Sequence, residues 1–118
     1  MREIKFRAFV NGEMTNVSYP QTITFSDGRL TYWDELKHSA NTSAIIMQYT
    51  GLKDVNNAEV YEADYFDTED GLMEVYFIDG RFILMWADTG TYRCELHEAV
   101  NKLSKCGNKY ENPDLLTS

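Results

Sequence analysis

Two Asp-Gly dipeptides, Asp27-Gly28 and Asp79-Gly80, each stand between runs of alternating apolar residues, and no other feature constrains the fold of this chain so tightly. Asp-Gly in that setting signals a two-residue type I′ hairpin turn, whose positive φ values give a twist that matches the paired strands. Such a turn fixes register. The first would pair Ser26 with Arg29, Phe25 with Leu30, Thr24 with Thr31 and Ile23 with Tyr32, placing Ile23, Phe25, Leu30 and Tyr32 on one face. The second would pair Phe77 with Phe82, Val75 with Leu84 and Met73 with Trp86, an entirely apolar face. Its reverse carries Glu74, Tyr76, Ile78, Ile83 and Met85, also largely apolar. A hairpin apolar on both sides must be covered on both, either centrally in a closed barrel or by a second subunit.

The rest of the chain extends this pattern. Ile4, Phe6, Ala8 and Val10 alternate with Lys5, Arg7 and Phe9 and predict an opening strand, ended by a turn at Asn11-Gly12. Residues 34–43 are polar and without period, and read as a loop. Ala44 to Tyr49 is an apolar strand closed by Thr50-Gly51, and Lys53 to Asn57 is a turn, since Asn tolerates positive φ. Glu59 to Phe66 reads as one extended segment, Asp67 to Gly71 as an acidic turn, and Asp88-Thr89-Gly90 as a turn into Thr91-Tyr92-Arg93, giving a meander. Leu96, Val100 and Leu103 fall at helical spacing, with Glu95 and Glu98 before Lys102 as the helix dipole favours, so a short helix from about Glu95 to Ser104 is expected. Gly107 and Asn112-Pro113 stop it. At 118 residues, 43% apolar and 14% aromatic, the chain can bury one ordinary core without staples, so a single domain over 1–118 is expected. The fold class is mainly β, α+β in the sense of one short C-terminal helix.

Charge bounds the partners. The formal net charge is −8, from 19 acidic and 11 basic side chains, a field that repels phosphate backbones and anionic lipid and argues against nucleic acid and membrane surfaces. The charge is also segregated: no Lys or Arg lies between Lys53 and Arg81, while Asp54, Glu59, Glu62, Asp64, Asp67, Glu69, Asp70, Glu74 and Asp79 do, and the bases gather toward the ends as Arg2, Lys5, Arg7, Arg93, Lys102, Lys105 and Lys109. No run approaches the ~18 to 20 apolar residues of a membrane span. The charged opening Met1-Arg2-Glu3-Ile4-Lys5 lacks the apolar core of a signal peptide, so a cytoplasmic location is expected. Cys94 and Cys106 have neither redox-pair nor zinc-hook spacing and read as reduced thiols.

Catalytic constellations are not evident. The acidic 62–74 stretch invites a metal, but with Gly71 as the sixth residue of an EF-hand loop the first ligand position would be Phe66, which supplies no oxygen. A solvated acidic turn is the favoured reading. His38 and His97 have no reason to meet, and Cys94 with His97, one turn apart, is a possible local pair, though Cys94 is better read as a small buried apolar residue. No phosphate loop, Gly-x-Ser-x-Gly or His-Glu-x-x-His is present, so no cofactor, no metal and no catalytic residue is expected.

Three segments carry a more specific signal: Ile4-Lys5-Phe6-Arg7-Ala8; Met47 to Asp54 followed by Glu59-Val60-Tyr61-Glu62-Ala63-Asp64; and Gly107 to Pro113. In this order and spacing the chain resembles the YopX family of small phage and prophage proteins, over nearly its whole length. The family usually has glycine where this chain has Asn57 and Ala63. The resemblance implies a β-rich fold with an SH3-like barrel portion, built here from hairpins and a meander, and a bacterial cytoplasmic setting with a phage or prophage gene. It implies no established activity. It singles out Gln48, Thr50, Gly51, Tyr61, Glu62, Asp64, Asn108, Tyr110, Glu111, Asn112 and Pro113 as motif positions that either tie down turns or line a site, the structural role being favoured. The leading functional expectation is a non-enzymatic, self-associating interaction module whose partner is a second copy or a host or phage protein. The alternatives are an acidic decoy that engages a host nucleic-acid-binding protein through Asp54 to Asp79, and a metal-dependent enzyme using the 62–74 stretch.

Overall fold

The computed structural model describes residues 5–10, 12–17, 23–26, 29–34, 39–41 and 45–117. It is mostly β, with one short helix, and its curled antiparallel sheets form a half-barrel. The strands are β1 (Phe6–Val10), β2 (Glu13–Val17), β3 (Ile23–Ser26), β4 (Arg29–Asp34), β5 (Ser39–Asn41), β6 (Ile45–Lys53), β7 (Glu59–Tyr61), β8 (Asp64–Thr68), β9 (Gly71–Ile78), β10 (Arg81–Trp86), β11 (Thr91–Glu95) and β12 (Lys105–Asn108). They form sheets in the orders β2-β1-β6-β7, β11-β10-β9-β8-β12 and β3-β4-β5.

Both hairpin registers derived from the Asp-Gly turns are present. β3 and β4 pair Ile23 with Tyr32 through Ser26 with Arg29, although the Asp27-Gly28 turn itself lies outside the described residues. β9 and β10 pair Phe77 with Phe82, Val75 with Leu84 and Met73 with Trp86, and Asp79 and Gly80 take φ of 52° and 79°. The apolar face of this hairpin is the core. Met73, Val75, Phe82 and Leu84 pack there with Val60, Phe66, Leu96 and Val100, all buried, while Leu52, Trp86, Cys94, Ala99 and Leu103 close its edge.

Several expectations are corrected. Glu13–Val17, which carried no expectation, is also a strand, because β1 supplies a partner for every one of its residues even though its own pattern is weak. The segment read as a loop over 34–43 contains β5, which pairs Asn41 with Tyr32, Ala40 with Trp33 and Ser39 with Asp34; residues 35–38, including His38, lie outside the described residues. β6 runs past Tyr49 to Lys53, through an irregularity where Gly51 takes φ of 82°. Glu59 to Phe66 is not one strand: it breaks at Glu62-Ala63, where Ala63 adopts φ of 73°. A side chain in the left-handed region costs about 1–2 kcal/mol, and here the turn is held from both sides, by Ala63 N–H donating to the Val75 carbonyl and Lys109 N–H donating to the Ala63 carbonyl. Asn57 takes the same conformation at φ 65°, as its residue type allows. The helix is shorter than its spacing predicts, α1 spanning Leu96–Ala99 before a 3-10 turn over Val100–Lys102, yet Leu96 and Val100 still reach the core.

The segregated charge is a folding device. Most of the acidic stretch does not form a solvated face: Lys5 pairs with Glu59, Arg7 with Asp64 and Lys105 with Asp64, so bases from near both chain ends close on acids in the middle. Asp54 is buried as well, and accepts hydrogen bonds from the N–H groups of Asn56, Ala58 and Lys105, each at 2.9 Å. Burial pushes its pKa up, but those three N–H donors together outweigh it and hold the carboxyl below its usual range. Of that stretch only Asp67, near the end of β8, Glu69 and Asp70 in the two-residue turn that follows it, and Asp79 at the β9–β10 turn remain exposed, so the acidic turn expected over Asp67 to Gly71 is only Glu69-Asp70.

Candidate functional site

The reverse of the β9–β10 hairpin faces a cleft. Antiparallel register places Tyr65, Glu74 and Met85 in one row across this face and Tyr76 and Ile83 in the next. Tyr65, Glu74 and Ile83 are buried, yet toward the hairpin tip cover runs out on both faces: Ile78 on the reverse is 45% exposed and Phe77 on the core face 43%. The expectation that both sides of the hairpin are covered is therefore met over its body and not at its tip, where each face leaves one large apolar side chain exposed. What faces the reverse is the start of β6, Ile45 to Met47, and the segment after β12, Lys109-Tyr110, which together with Glu62, Ala63, Glu74, Val75, Tyr76 and Phe77 line a cleft of about 180 Å³. Ile45, 39% exposed, forms part of its apolar wall.

Each lining group is held by its own element. Tyr110 is half-buried and stacks on Phe9 of β1 at 5.6 Å between ring centres. It follows a turn in which the Asn108 side-chain oxygen accepts from the N–H groups of Tyr110 and Glu111, Asn108 Nδ2 donates to Glu111, and Asn112 Oδ1 accepts from Asn108 N–H. Gly107 is required beside this turn: a Cβ there would lie 2.5 Å from Asn112 Oδ1. Glu62 is fixed by a reciprocal pair, its carboxylate accepting from Gln48 N–H at 2.8 Å while its own N–H donates to the Gln48 carbonyl at 3.0 Å. Glu74, 6% exposed, takes a hydrogen bond from the Tyr76 hydroxyl.

Two glutamates thus line one small cleft of mixed polar and apolar walls. Burial is the main cause that pushes both above the usual glutamate range; the Gln48 N–H and Arg7 pull Glu62 back, and Lys109 and Tyr76 pull Glu74 back. Burial also raises Tyr76 and Tyr110, with Glu74 as a further cause. In both glutamates the folded state holds its proton at a higher pH than the unfolded chain does, so their contribution to stability rises as pH falls from neutral toward the carboxylate range. Asp54 acts in the opposite sense, its contribution being lost only as pH drops through and below that range. Thermal denaturation should therefore show a higher Tm near about pH 5.5 than at about pH 7.5, and the Glu62→Gln/Glu74→Gln double variant should flatten that rise.

The motif positions divide. Glu62 and Tyr110 line the cleft, and Gln48 anchors Glu62 from beside it. The others are tethers. Thr50 Oγ1 donates to the Val60 carbonyl at 2.7 Å beside the Gly51 irregularity. Tyr61 is buried against Tyr49 with the Arg7 guanidinium 4.7 Å from its ring centre, and Asp64 is fully buried, accepting from Tyr61 N–H and Arg7. Asn108, Glu111 and Asn112 build the turn before Pro113, which begins a final 3-10 segment, Pro113–Thr117. Sequence reading missed Ile45, Met47, Glu74, Phe77 and Lys109 as site residues. Glu74, a charge set within a largely apolar strand face, was the one available signal.

For the remaining candidates the geometry is unpromising. Among the described residues no three of His, Cys, Asp and Glu gather as a metal site. His97 is exposed, and Cys94 packs at the edge of the core with its thiol pKa raised chiefly by burial, which suppresses the nucleophilic thiolate. No helix in the described residues is long and apolar enough to cross a membrane.

No curated protein matches this sequence significantly. Among solved structures, the crystal structure of protein EF1440 from Enterococcus faecalis is similar, at 26% identity and a TM-score of 0.61, with 98% of this chain and 99% of that chain covered. The YopX protein family matches residues 5–117. With the two hairpins, the tethered motif turns and this match over nearly the whole length, the chain belongs to the YopX family.

Proposed function

We propose that this protein is a non-enzymatic interaction module that self-associates through the open tip of the β9–β10 hairpin and the cleft wall beside it. The observation that carries the reading is the exposure of Ile45, Phe77 and Ile78, three large apolar side chains, two of which wall the cleft. Apolar surface of this kind gains free energy when a second surface removes it from water. Family membership and an SH3-like reading of the half-barrel fit an accessory protein of phage or prophage origin acting in the bacterial cytoplasm.

Sedimentation velocity over a concentration series tests self-association. The chain should show a reversible increase in mass with concentration, and Phe77→Glu, at an exposed position near a turn, should shift it to monomer while keeping its far-UV spectrum. A strictly monomeric mass for the unaltered chain at millimolar concentration contradicts the proposal.

The decoy reading loses much of its surface, since Asp54, Glu59, Glu62, Asp64 and Glu74 are held within the fold. One observation favours an enzyme instead: two carboxyls raised by burial beside tyrosine hydroxyls are the parts of an acid-base hydrolase. Turnover of any ester, glycoside or amide substrate by the purified chain, lost in Glu74→Gln, would replace the non-enzymatic reading.

A further inference from the structure

We propose that the cleft receives a single cationic side chain, an arginine or lysine presented by a basic segment of a partner protein. The inference deepens the interaction reading of this cleft and rests on it. Size comes first: about 180 Å³ falls below the 300–1,000 Å³ usual for small-molecule sites and suits one side chain. Chemistry comes second. The walls are mixed: Ile45, Tyr76, Phe77 and Tyr110 offer apolar and aromatic groups that suit the methylene stem and charged head of a long cation, which ring faces attract. At the lining stand the carboxyls of Glu62 and Glu74, neither of which belongs to an ion pair among the described residues, whereas Glu59 and Asp64 are matched with the chain's own bases.

Burying a carboxylate without a matching cation is costly, and an incoming cation recovers part of that cost. Glu74 is therefore where a partner's charge has most to gain. Lys109 is the one base in the lining, and it is exposed, its Nζ lying 5.9 Å from the Tyr110 ring centre. One cation at the rim against two carboxyls leaves the cleft net negative. The net charge of −8 points the same way, since its long-range field draws a basic segment in.

The test uses the full ¹⁵N-labelled chain and two probes of nearly equal shape, Nα-acetyl-arginine amide and its neutral isostere Nα-acetyl-citrulline amide. Arginine should give saturable amide shifts centred on Ala63, Val75, Tyr76 and Tyr110, and citrulline should bind at least about tenfold more weakly. Glu74→Gln should weaken arginine binding by about tenfold or more, and Lys109→Ala, a surface change that leaves the fold intact, should tighten it. Equal response to the two probes, shifts scattered away from the cleft, or arginine binding unaltered in both variants overturns the proposal. Because the probes are monomeric, the result is independent of self-association: a chain that binds arginine but stays monomeric loses only the dimer, and a dimer indifferent to arginine loses only this inference.

Discussion

Asp64→Ala should destabilise the protein by about 3–5 kcal/mol, read as the shift in denaturant midpoint at constant m-value. Asp64 is fully buried, with Arg7 Nη2 at 2.7 Å from its Oδ1 and Tyr61 N–H at 2.8 Å and Lys105 Nζ at 3.5 Å from its Oδ2. Truncation strands a guanidinium whose side chain is only 7% exposed and leaves a buried N–H without its acceptor. The magnitude reflects that abandonment more than the worth of the ion pair. Arg7 Nε already lacks a hydrogen-bond partner in the native state, so the pair is not ideally satisfied. It follows that Arg7→Met combined with Asp64→Asn, which removes the charge and keeps an acceptor for Tyr61 N–H, should recover more than half of the single-variant loss.

Phe66→Ala should cost about 3–5 kcal/mol by the same measurement. Phe66 has no exposed surface and packs among Val60, Met73, Val75 and Leu84, where β7, β8, β9 and β10 meet. Those strands are locked by register, Phe66 pairing with Met73 and Met73 with Trp86, so the cavity has little means of collapsing. A loss below about 1.5 kcal/mol would mean the core repacks freely and that these pairings do not fix it.

Local chemistry made the hairpins legible. Asp79-Gly80 states a turn type, the turn type states a register, and Met73, Val75, Leu84 and Phe82 then have only one face to occupy. Where a strand exists because of its neighbour, nothing in its own residues announces it. Ser39-Ala40-Asn41 has no period and becomes β5 by pairing with β4, and Glu13–Val17 is made a strand by β1. Ala63 misleads for a related reason: alanine argues against positive φ, but hydrogen bonds to Val75 and from Lys109 hold it there. The charge segregation was visible, and its meaning was not. A run of acids usually signals solvent, and only the antiparallel pairing of β1 with β6 and of β12 with β8 brings Lys5, Arg7 and Lys105 onto Glu59 and Asp64. The cleft was hidden likewise, since Ile45 and Glu74 lie in no motif and reach Tyr110 only through those pairings and that of β8 with β9.

One pin, Asp64, closes the basic segments near both ends of the chain on its acidic middle. Native-state hydrogen exchange on Asp64→Ala addresses it residue by residue. The amides of Arg7 and Ala8 in β1 and of Lys105 and Asn108 in β12 should lose at least about tenfold more protection than those of Val75 and Leu84 in the β9–β10 hairpin. Uniform loss along the chain, or a loss greatest at Val75 and Leu84, would show that Asp64 does not hold the ends to the middle.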